Sequence, residues 1–350
     1  MFDTSAPPWR QAMAASITAP DDLSQTLPVD VQGLTRVAQA YPMRITPHFL
    51  ALIREHDGPI GKQVIPHPDE LSGQSLLPDP LCEESQSPVP GLIHRYPHHA
   101  LFQVENQCAV YCRHCLRKRK VGGMKAVSTD LIEQGIEYIK ARPEIREVVL
   151  SGGDPLVMED SRLMLILEKL RAINHVKTLR IHTRVPGALP QRITQDLAKS
   201  LASLHPLYMN IQFNHPLEIT SESEEACRIL ADRGIPLGCQ TVLLKGVNDD
   251  GKVLRQLLEE LLRIRVRPYY LHQLDRVRGA AHFHVPISQG VAFMQGLRGR
   301  IPGTAIPNYV VDLPGGGGKA PLPESIVGHE GNTVLIRNFE GKVFRYEKGD

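Results

Sequence analysis

From about residue 100 onward, short apolar runs alternate with longer segments in which apolar residues recur at helical spacing. The short runs predict six strands, over residues 101–107, 146–152, 176–184, 208–213, 236–244 and 267–275. The longer segments predict six helices, over residues 130–141, 161–173, 192–204, 221–234, 250–264 and 289–300. Such alternation is typical of a parallel sheet with right-handed crossovers. Because six units are too few for a full eight-stranded barrel, the pattern favours an open partial barrel or a doubly wound sheet.

The first 95 residues differ from this pattern, because they are rich in proline and polar residues. Two stretches with helical spacing, 29–41 and 46–56, predict short helices. Residues 66–90 predict an irregular connector, since Pro, Ser, Asp and Gly recur there. We therefore expect an N-terminal helical arm and connector over residues 1–95.

The C-terminal part changes character again after about residue 300. Residues 332–350 predict a β-hairpin that turns at Glu340–Gly341. These breaks divide the chain into three parts, which are the arm, a barrel core over residues 96–300 and a C-terminal extension over residues 301–350.

Composition and charge remove several classes of protein from consideration. The chain has 350 residues, 42% of them hydrophobic, and a formal net charge of +2. No global electrostatic field therefore indicates nucleic acid or an anionic membrane as a partner. The N-terminus lacks the apolar run of a secretory signal, and no stretch approaches the length of a membrane span. We expect a cytoplasmic protein with a small-molecule substrate.

Three of the six cysteines stand in one short loop, with the spacing Cys108-x3-Cys112-x2-Cys115. Structural zinc sites take four ligands, and this loop offers no fourth. Three thiolates on a [4Fe–4S] cluster leave one iron open, and that iron can chelate S-adenosylmethionine. A zinc site completed by a distant histidine is the alternative. Of the other cysteines, Cys227 and Cys239 lie in helix and strand patterns, where we expect small core residues.

The second predicted strand runs into the turn Ser151, Gly152, Gly153 and Asp154. Glycines at the end of a strand allow the backbone to approach a ligand closely, although ordinary tight turns use the same residues. The C-terminal ends of parallel strands share one edge, where ligands bind in such folds. We therefore expect this turn to lie beside the cysteine loop, which follows the first strand.

Lys319 follows a run of four glycines, 315–318. A phosphate-binding loop of the nucleotide-hydrolase type needs glycine at the position of Leu313 and serine or threonine at the position of Ala320, so that assignment fails twice. A lysine beside flexible glycines can instead form a Schiff base with a carbonyl cofactor such as pyridoxal 5′-phosphate. A solvated loop lysine is the alternative.

The cysteine spacing is the signature of the radical S-adenosylmethionine (SAM) superfamily, and a longer series of motifs resembles the lysine 2,3-aminomutase family. In order, these motifs are CAVYCRHCLRKR, SGGDPL, RIHTRVP, FNHPLEIT, GVND, LHQLD and VVDLPGGGGKAP. The resemblance spans about residues 90–345. It implies the α/β class, as a partial (β/α)6 barrel of the radical SAM type with an N-terminal helical arm and a small C-terminal extension.

The resemblance also implies the reaction, which is that of an isomerase that uses a [4Fe–4S] cluster, SAM and pyridoxal 5′-phosphate. A 5′-deoxyadenosyl radical abstracts hydrogen from L-lysine, and the amino group moves from carbon 2 to carbon 3 to give β-lysine. A reductant protein of the flavodoxin or ferredoxin type would supply the electron. Assembly of several copies of the chain into a homo-oligomer is a further expectation.

Individual residues acquire roles from the same resemblance. Cys108, Cys112 and Cys115 hold the cluster, and Lys319 forms the Schiff base. Arg117 binds the substrate carboxylate, for which the planar guanidinium fork is suited. Asp275 and Asp312 bind the far ammonium of lysine. SAM is contacted by His114, Gln240 and the turn Ser151–Asp154. Arg95 lies near the pyridoxal phosphate. For Lys118, Arg119 and Lys120, beside Arg117, a solvated surface is the simplest expectation.

Three features depart from the family's pattern. His99 stands where a second phosphate-binding arginine is usual, and Gln212 stands where a histidine is expected. The cysteine-rich tail of longer members is absent from the sequence, so we expect no structural zinc. Three alternative functions stay open. The protein could be an aminomutase that supplies β-lysine for modification of elongation factor P, or an aminomutase that acts on another amino acid. It could also be a non-catalytic iron–sulfur or zinc-binding module.

Overall fold

One large sheet, in which the strands lie side by side in chain order, forms the body of the protein. The computed structural model describes residues 6–56, 58–73, 75–123 and 126–347. The strands are β1 (Leu92–Tyr96), β2 (His99–Glu105), β3 (Glu147–Gly152), β4 (Thr178–Thr183), β5 (Leu207–Ile211), β6 (Leu237–Leu243), β7 (Arg267–Gln273), β8 (Asn308–Leu313) and β9 (Gly318–Pro321). Strands β2 to β8 pair in parallel, and the outer strands β1 and β9 pair antiparallel to them.

Helices form an N-terminal arm before the sheet and the crossover connections between its strands. The N-terminal arm contains α1 (Pro8–Ala14), α2 (Pro20–Ser24), α3 (Val31–Ala40), α4 (Pro47–Glu55) and α5 (Pro59–Val64). The crossovers contain α6 (Thr129–Lys140), α7 (Asp160–Arg171), α8 (Val185–Ala188), α9 (Gln195–Ala202), α10 (Ser221–Asp232), α11 (Gly251–Arg263) and α12 (Ile287–Leu297). No helix in the described ranges is long and apolar enough to cross a membrane.

The predicted α/β partial barrel is therefore confirmed, with each of the six predicted strands and six predicted helices in place. Helix α11 shows why the pattern was informative. Asp250 caps its first turn through bonds to two backbone amides, and Leu254, Leu258 and Leu261 recur on the buried face. Strand β8 extends the parallel sheet by one strand, within a segment that sequence analysis assigned to the C-terminal extension.

The barrel is nearly closed, because its two outer strands approach each other across a narrow seam. The hydroxyl of Tyr96, at the end of β1, accepts a 2.7 Å hydrogen bond from the backbone amide of Lys319 in β9. Near the same seam, the amide of Gly315 donates to the carbonyl of Pro80 at 2.9 Å. Side chains and the connector thus bridge the seam between the two outer strands.

The N-terminal arm holds the cysteine loop in place through a buried group of charges. Arg113, inside the loop, donates to the Glu70 carboxylate from Nε at 2.9 Å and from Nη2 at 2.6 Å. The ammonium of Lys118 lies 2.6 Å from the same carboxylate and 2.8 Å from the carbonyl of Gly279. All three charged side chains are buried, so each depends on the others for neutralisation.

A small antiparallel sheet follows the main one. It contains β10 (Ile326–Glu330), β11 (Thr333–Arg337) and β12 (Val343–Glu347). The predicted hairpin is confirmed, since β11 turns into β12 through Gly341, whose φ of +82° suits glycine. Cys227 and Cys239 are fully buried in the core, as expected.

Two helical glycines provide a test of the packing. A Cβ on Gly135, in α6, would lie 2.3 Å from the ring of Phe102 in β2, whereas a Cβ on Gly296, in α12, would meet nothing within 4 Å. We predict that Gly135→Ala lowers the free energy of unfolding by about 1–3 kcal/mol through overpacking. The control Gly296→Ala should raise it by about 0.5–1 kcal/mol through backbone entropy. Urea unfolding measures both, and equal effects would contradict the packing described here.

Candidate active site

A cavity of about 590 Å³ runs into the barrel from the C-terminal ends of the parallel strands. All the residues that sequence analysis singled out for cluster, cofactor or substrate line this one cavity. They are Arg95, Cys108, Cys112, His114, Cys115, Arg117, Ser151, Gly152, Gly153, Asp154, Gln240, Asp275, Asp312 and Lys319. The shared location follows from the topology, because parallel strands deliver their ends to one edge. The individual roles of these residues stay predictions.

The three cysteines of the loop are free thiols at one end of the cavity. Burial, with Asp154 as the next largest cause, raises the pKa of Cys108 well above its usual value, and burial raises the pKa of Cys115 to about 11. Nη1 of Arg184 lies 2.8 Å from Sγ of Cys112. Positive charge would therefore be needed to hold Cys108 and Cys115 as thiolates, and the irons of a cluster would supply it.

The donor set suits an iron–sulfur cluster better than a single ion. Three soft sulfur ligands without a nearby oxygen or nitrogen ligand are typical of iron–sulfur sites. Among the residues that the structure describes, no three Cys, His, Asp or Glu side chains converge closely enough to hold one metal ion. A cluster distributes its three thiolates over different irons, so it does not require such convergence.

The glycine turn after β3 packs against the start of the cysteine loop. A Cβ on Gly152 would lie 2.0 Å from the carbonyl oxygen of Glu105, and one on Gly153 would lie 2.2 Å from that of Gln107. The amide of Gly153 donates to the Glu105 carbonyl at 2.6 Å. The close approach that these glycines permit is thus to the chain itself, and it joins the turn and the loop into one backbone unit.

Asp154 joins this unit to the end of β4. Its carboxylate accepts hydrogen bonds from the Thr183 hydroxyl at 2.8 Å and from the backbone amides of Arg184 and Leu156 at 2.7 and 3.0 Å. Burial nevertheless raises the pKa of Asp154 above its ordinary value. In this arrangement Asp154 organises the backbone around the cavity.

Arg117 has a partner that sequence analysis did not identify. Its guanidinium makes a two-point ion pair with Glu83 from the connector, with Nη2 to Oε1 at 2.6 Å and Nε to Oε2 at 2.9 Å. Burial opposes ionisation of Glu83, but Arg117 lowers its pKa overall. The connector sequence does not distinguish Glu83 from the neighbouring Glu84. Only the tertiary contact with Arg117 does so.

Lys319 lies beside one of the two predicted acids. Its ammonium is 2.7 Å from Asp312, and His272 Nδ1 is 3.6 Å from the same carboxylate. Burial disfavours both charges, yet the pair raises the pKa of Lys319 and lowers that of Asp312. The second acid, Asp275, has a buried Oδ1 without a partner among the described residues, and burial with Asp312 raises its pKa to about 8.

The two positions that depart from the family's pattern have identifiable neighbours. Gln212 contacts His114, with 3.0 Å between the amide nitrogen and Nε2, so these two residues form a pair. His99 stacks on Tyr96 with 4.4 Å between ring centroids. Arg95 Nε donates to Gln86 at 2.6 Å, and Arg95 Nη1 is 4.0 Å from Asp312.

The basic residues after Arg117 do not form a freely solvated surface, so that expectation was wrong. Lys118 is buried against Glu70, as described above. Arg119 contacts Asp79 and Glu84, and Lys120 contacts Glu84. An acidic connector therefore neutralises the basic cluster locally.

Comparisons with known proteins identify relatives that cover almost the whole chain. The Radical SAM superfamily model matches residues 103–258, and the Lysine-2,3-aminomutase model matches residues 294–350. An L-lysine 2,3-aminomutase of Acetoanaerobium sticklandii is 44% identical over 98% of this chain and 84% of its own length. One from Fusobacterium nucleatum is 46% identical over 93% and 77%. A glutamate 2,3-aminomutase of Clostridioides difficile is 41% identical over 97% and 82%.

These matches extend over the barrel, the cysteine loop and the C-terminal strands that carry Lys319. The superfamily implies a [4Fe–4S] cluster and SAM, and the relatives are isomerases that move an amino group. The chain belongs to the lysine 2,3-aminomutase family of radical SAM enzymes.

Proposed function

We propose that this protein is an L-lysine 2,3-aminomutase that uses pyridoxal 5′-phosphate and converts L-lysine into β-lysine. The observation that carries the proposal is the charge pattern of the cavity. Arg117 and two carboxylates, Asp275 and Asp312, line the same cavity as the cysteine loop and Lys319. A substrate with a carboxylate at one end and an ammonium at the other matches this set.

The residues present fit both cofactors. SAM bound at the cluster supplies a radical that abstracts hydrogen, and pyridoxal phosphate supplies a π-system that lets nitrogen migrate. Lys319 offers an amine inside the cavity, and Asp312 at 2.7 Å can hold its proton while that amine is free. Arg95 supplies a cation for the phosphate.

The substrate's far end is the point on which relatives differ, since one of them acts on glutamate. In this chain that end would face the Asp275 and Asp312 carboxylates. Among the described residues no donor reaches the buried Oδ1 of Asp275, and an ammonium would supply one. A glutamate side chain would instead bring a further carboxylate to this end of the cavity, and an uncompensated buried negative charge is costly. This contrast favours lysine.

Two partners complete the proposal. A flavodoxin- or ferredoxin-type protein would deliver the electron that the cluster needs. Assembly into a homo-oligomer is part of the same proposal and can be measured by light scattering.

The most direct test is turnover by protein that has been reconstituted anaerobically with iron, sulfide and pyridoxal phosphate. With SAM and dithionite, we expect β-lysine from L-lysine by chromatography, and conversion of L-glutamate at least about 100-fold slower because of the charge mismatch. β-Glutamate as the main product would refute the substrate. One zinc per chain, with no visible absorption from a cluster, would support the non-catalytic alternative.

Replacement of Lys319 tests the second cofactor separately from the first. We predict that Lys319→Ala abolishes the pyridoxal adduct that borohydride traps, because no amine remains at that position. Iron content and the electron paramagnetic resonance signal of the cluster should not change. Lys342→Ala is the matched control, since Lys342 is exposed and pairs with Glu340 in the same C-terminal extension. An adduct that survives in Lys319→Ala would disprove the assignment.

The pKa of Asp275 predicts a pH dependence. Because that pKa is about 8, the carboxyl is protonated and neutral below pH 8 and becomes an anion that attracts ammonium above it. We predict that kcat/KM for lysine rises more steeply between pH 7 and 9 in the unaltered protein than in Asp275→Asn, in which only the α-amine of the substrate still titrates. Asp312→Asn should lower kcat/KM and shift this rise to lower pH, because the charge of Asp312 helps to raise the pKa of Asp275. Identical pH profiles for the unaltered protein and Asp275→Asn would contradict the assignment.

A further inference from the structure

The connector contains a short acidic segment, residues 79–86, which we call the acidic strap. Its Glu83 pairs with Arg117, and the carbonyl of Leu81 accepts from Arg95 Nη2 at 2.9 Å. The strap therefore contacts both of the arginines that the proposed function assigns to anionic groups. Leu81 and Glu83 also line the cavity.

Glu83 uses only one side of the Arg117 guanidinium. Its two oxygens bind the edge formed by Nε and Nη2, at distances from 2.6 to 3.1 Å. The contact found for Nη1 is a long one, 3.4 Å to Ser151 Oγ. A guanidinium has two edges that can each bind a carboxylate at two points. The edge formed by Nη1 and Nη2 thus keeps donors for a second carboxylate.

Both members of the Arg117–Glu83 pair are largely buried. Glu83 is 4% exposed, and 16% of the Arg117 side chain is exposed. Arg117 and Asp275 line the same cavity. If Arg117 were free to turn toward Asp275, the proposed carboxylate and ammonium sites would neutralise each other. Glu83 limits this freedom, because it binds the Nε–Nη2 edge of the guanidinium at two points.

We propose that Glu83 is a positioning residue that fixes the Arg117 guanidinium so that its second edge receives the substrate carboxylate. The inference rests on the proposed role of Arg117 as the ligand of that carboxylate. Glu83 acts through Arg117 and does not touch the substrate. Glu83 also offsets part of the charge of Arg117, and the N–H groups of the second edge remain as directed donors for the carboxylate.

The test measures lysine binding to the holoenzyme by calorimetry without a reductant, together with kcat and KM under turnover. We expect Glu83→Gln to raise the lysine Kd and KM about tenfold, since a neutral amide holds the guanidinium less firmly. The value of kcat should stay within about twofold, because the interaction is the same in the ground and transition states. Iron content and the cluster signal should match the unaltered protein.

Two comparisons isolate the role of Glu83. Glu84→Gln is the matched control, because Glu84 lies in the same strap but pairs with Arg119 and Lys120, and lysine affinity should not change. The double variant Glu83→Gln with Arg117→Ala should bind lysine no more weakly than Arg117→Ala alone. This non-additivity is a readout that loss of fold stability would not produce.

Several outcomes would overturn the inference. Additive losses in the double variant would show that Glu83 acts independently of Arg117. Tighter lysine binding by Glu83→Gln would show that Glu83 competes for the carboxylate position. If Arg117→Ala leaves lysine affinity unchanged, the proposed role of Arg117 fails, and this inference fails with it. Normal affinity of Glu83→Gln beside a weakened Arg117→Ala would overturn the positioning role alone.

Discussion

Burial of charge around one cavity is the constraint on which this structure depends. A charged side chain that is withdrawn from water needs an opposite charge or hydrogen bonds, and most of the charged partners here come from distant parts of the chain. The pairs are Arg113 and Lys118 with Glu70, Arg117 with Glu83, Arg184 with Glu218, and Lys319 with Asp312. The arm, the connector, the barrel and the C-terminal strands are thereby held in one arrangement.

Two of these pairs assign a structural role to the N-terminal residues, a role that their sequence does not indicate. Glu70 fixes the loop that carries the cysteines, and Glu83 holds Arg117 just beyond it. The arm and connector therefore hold the cysteine loop in position. These contacts explain why the irregular connector packs closely against the barrel.

The seam of the barrel explains how Lys319 reaches the cavity. Strand β9 returns antiparallel beside β8, so Lys319 lies directly opposite Asp312 in the register of the two strands. The hydroxyl of Tyr96 holds the backbone of Lys319 from the other outer strand. A glycine run precedes this strand, with positive φ at Gly315, Gly316 and Gly318, because the turn must reverse the chain within a few residues. The lysine is therefore positioned by backbone pairing and not by the loop alone.

The sequence by itself determined the barrel, because apolar periodicity directly reflects which faces of strands and helices are buried. It also determined the cysteine loop, since ligand spacing is a local property. Strand β8 was not predicted, because the apolar run before Asp312 is short and a Pro-Gly sequence follows it. Glu83, Arg184 and His272 were not predicted, because what distinguishes them is a partner more than thirty residues away. Only the tertiary structure decides which buried charges meet, since pairing across space leaves no period or motif in the chain.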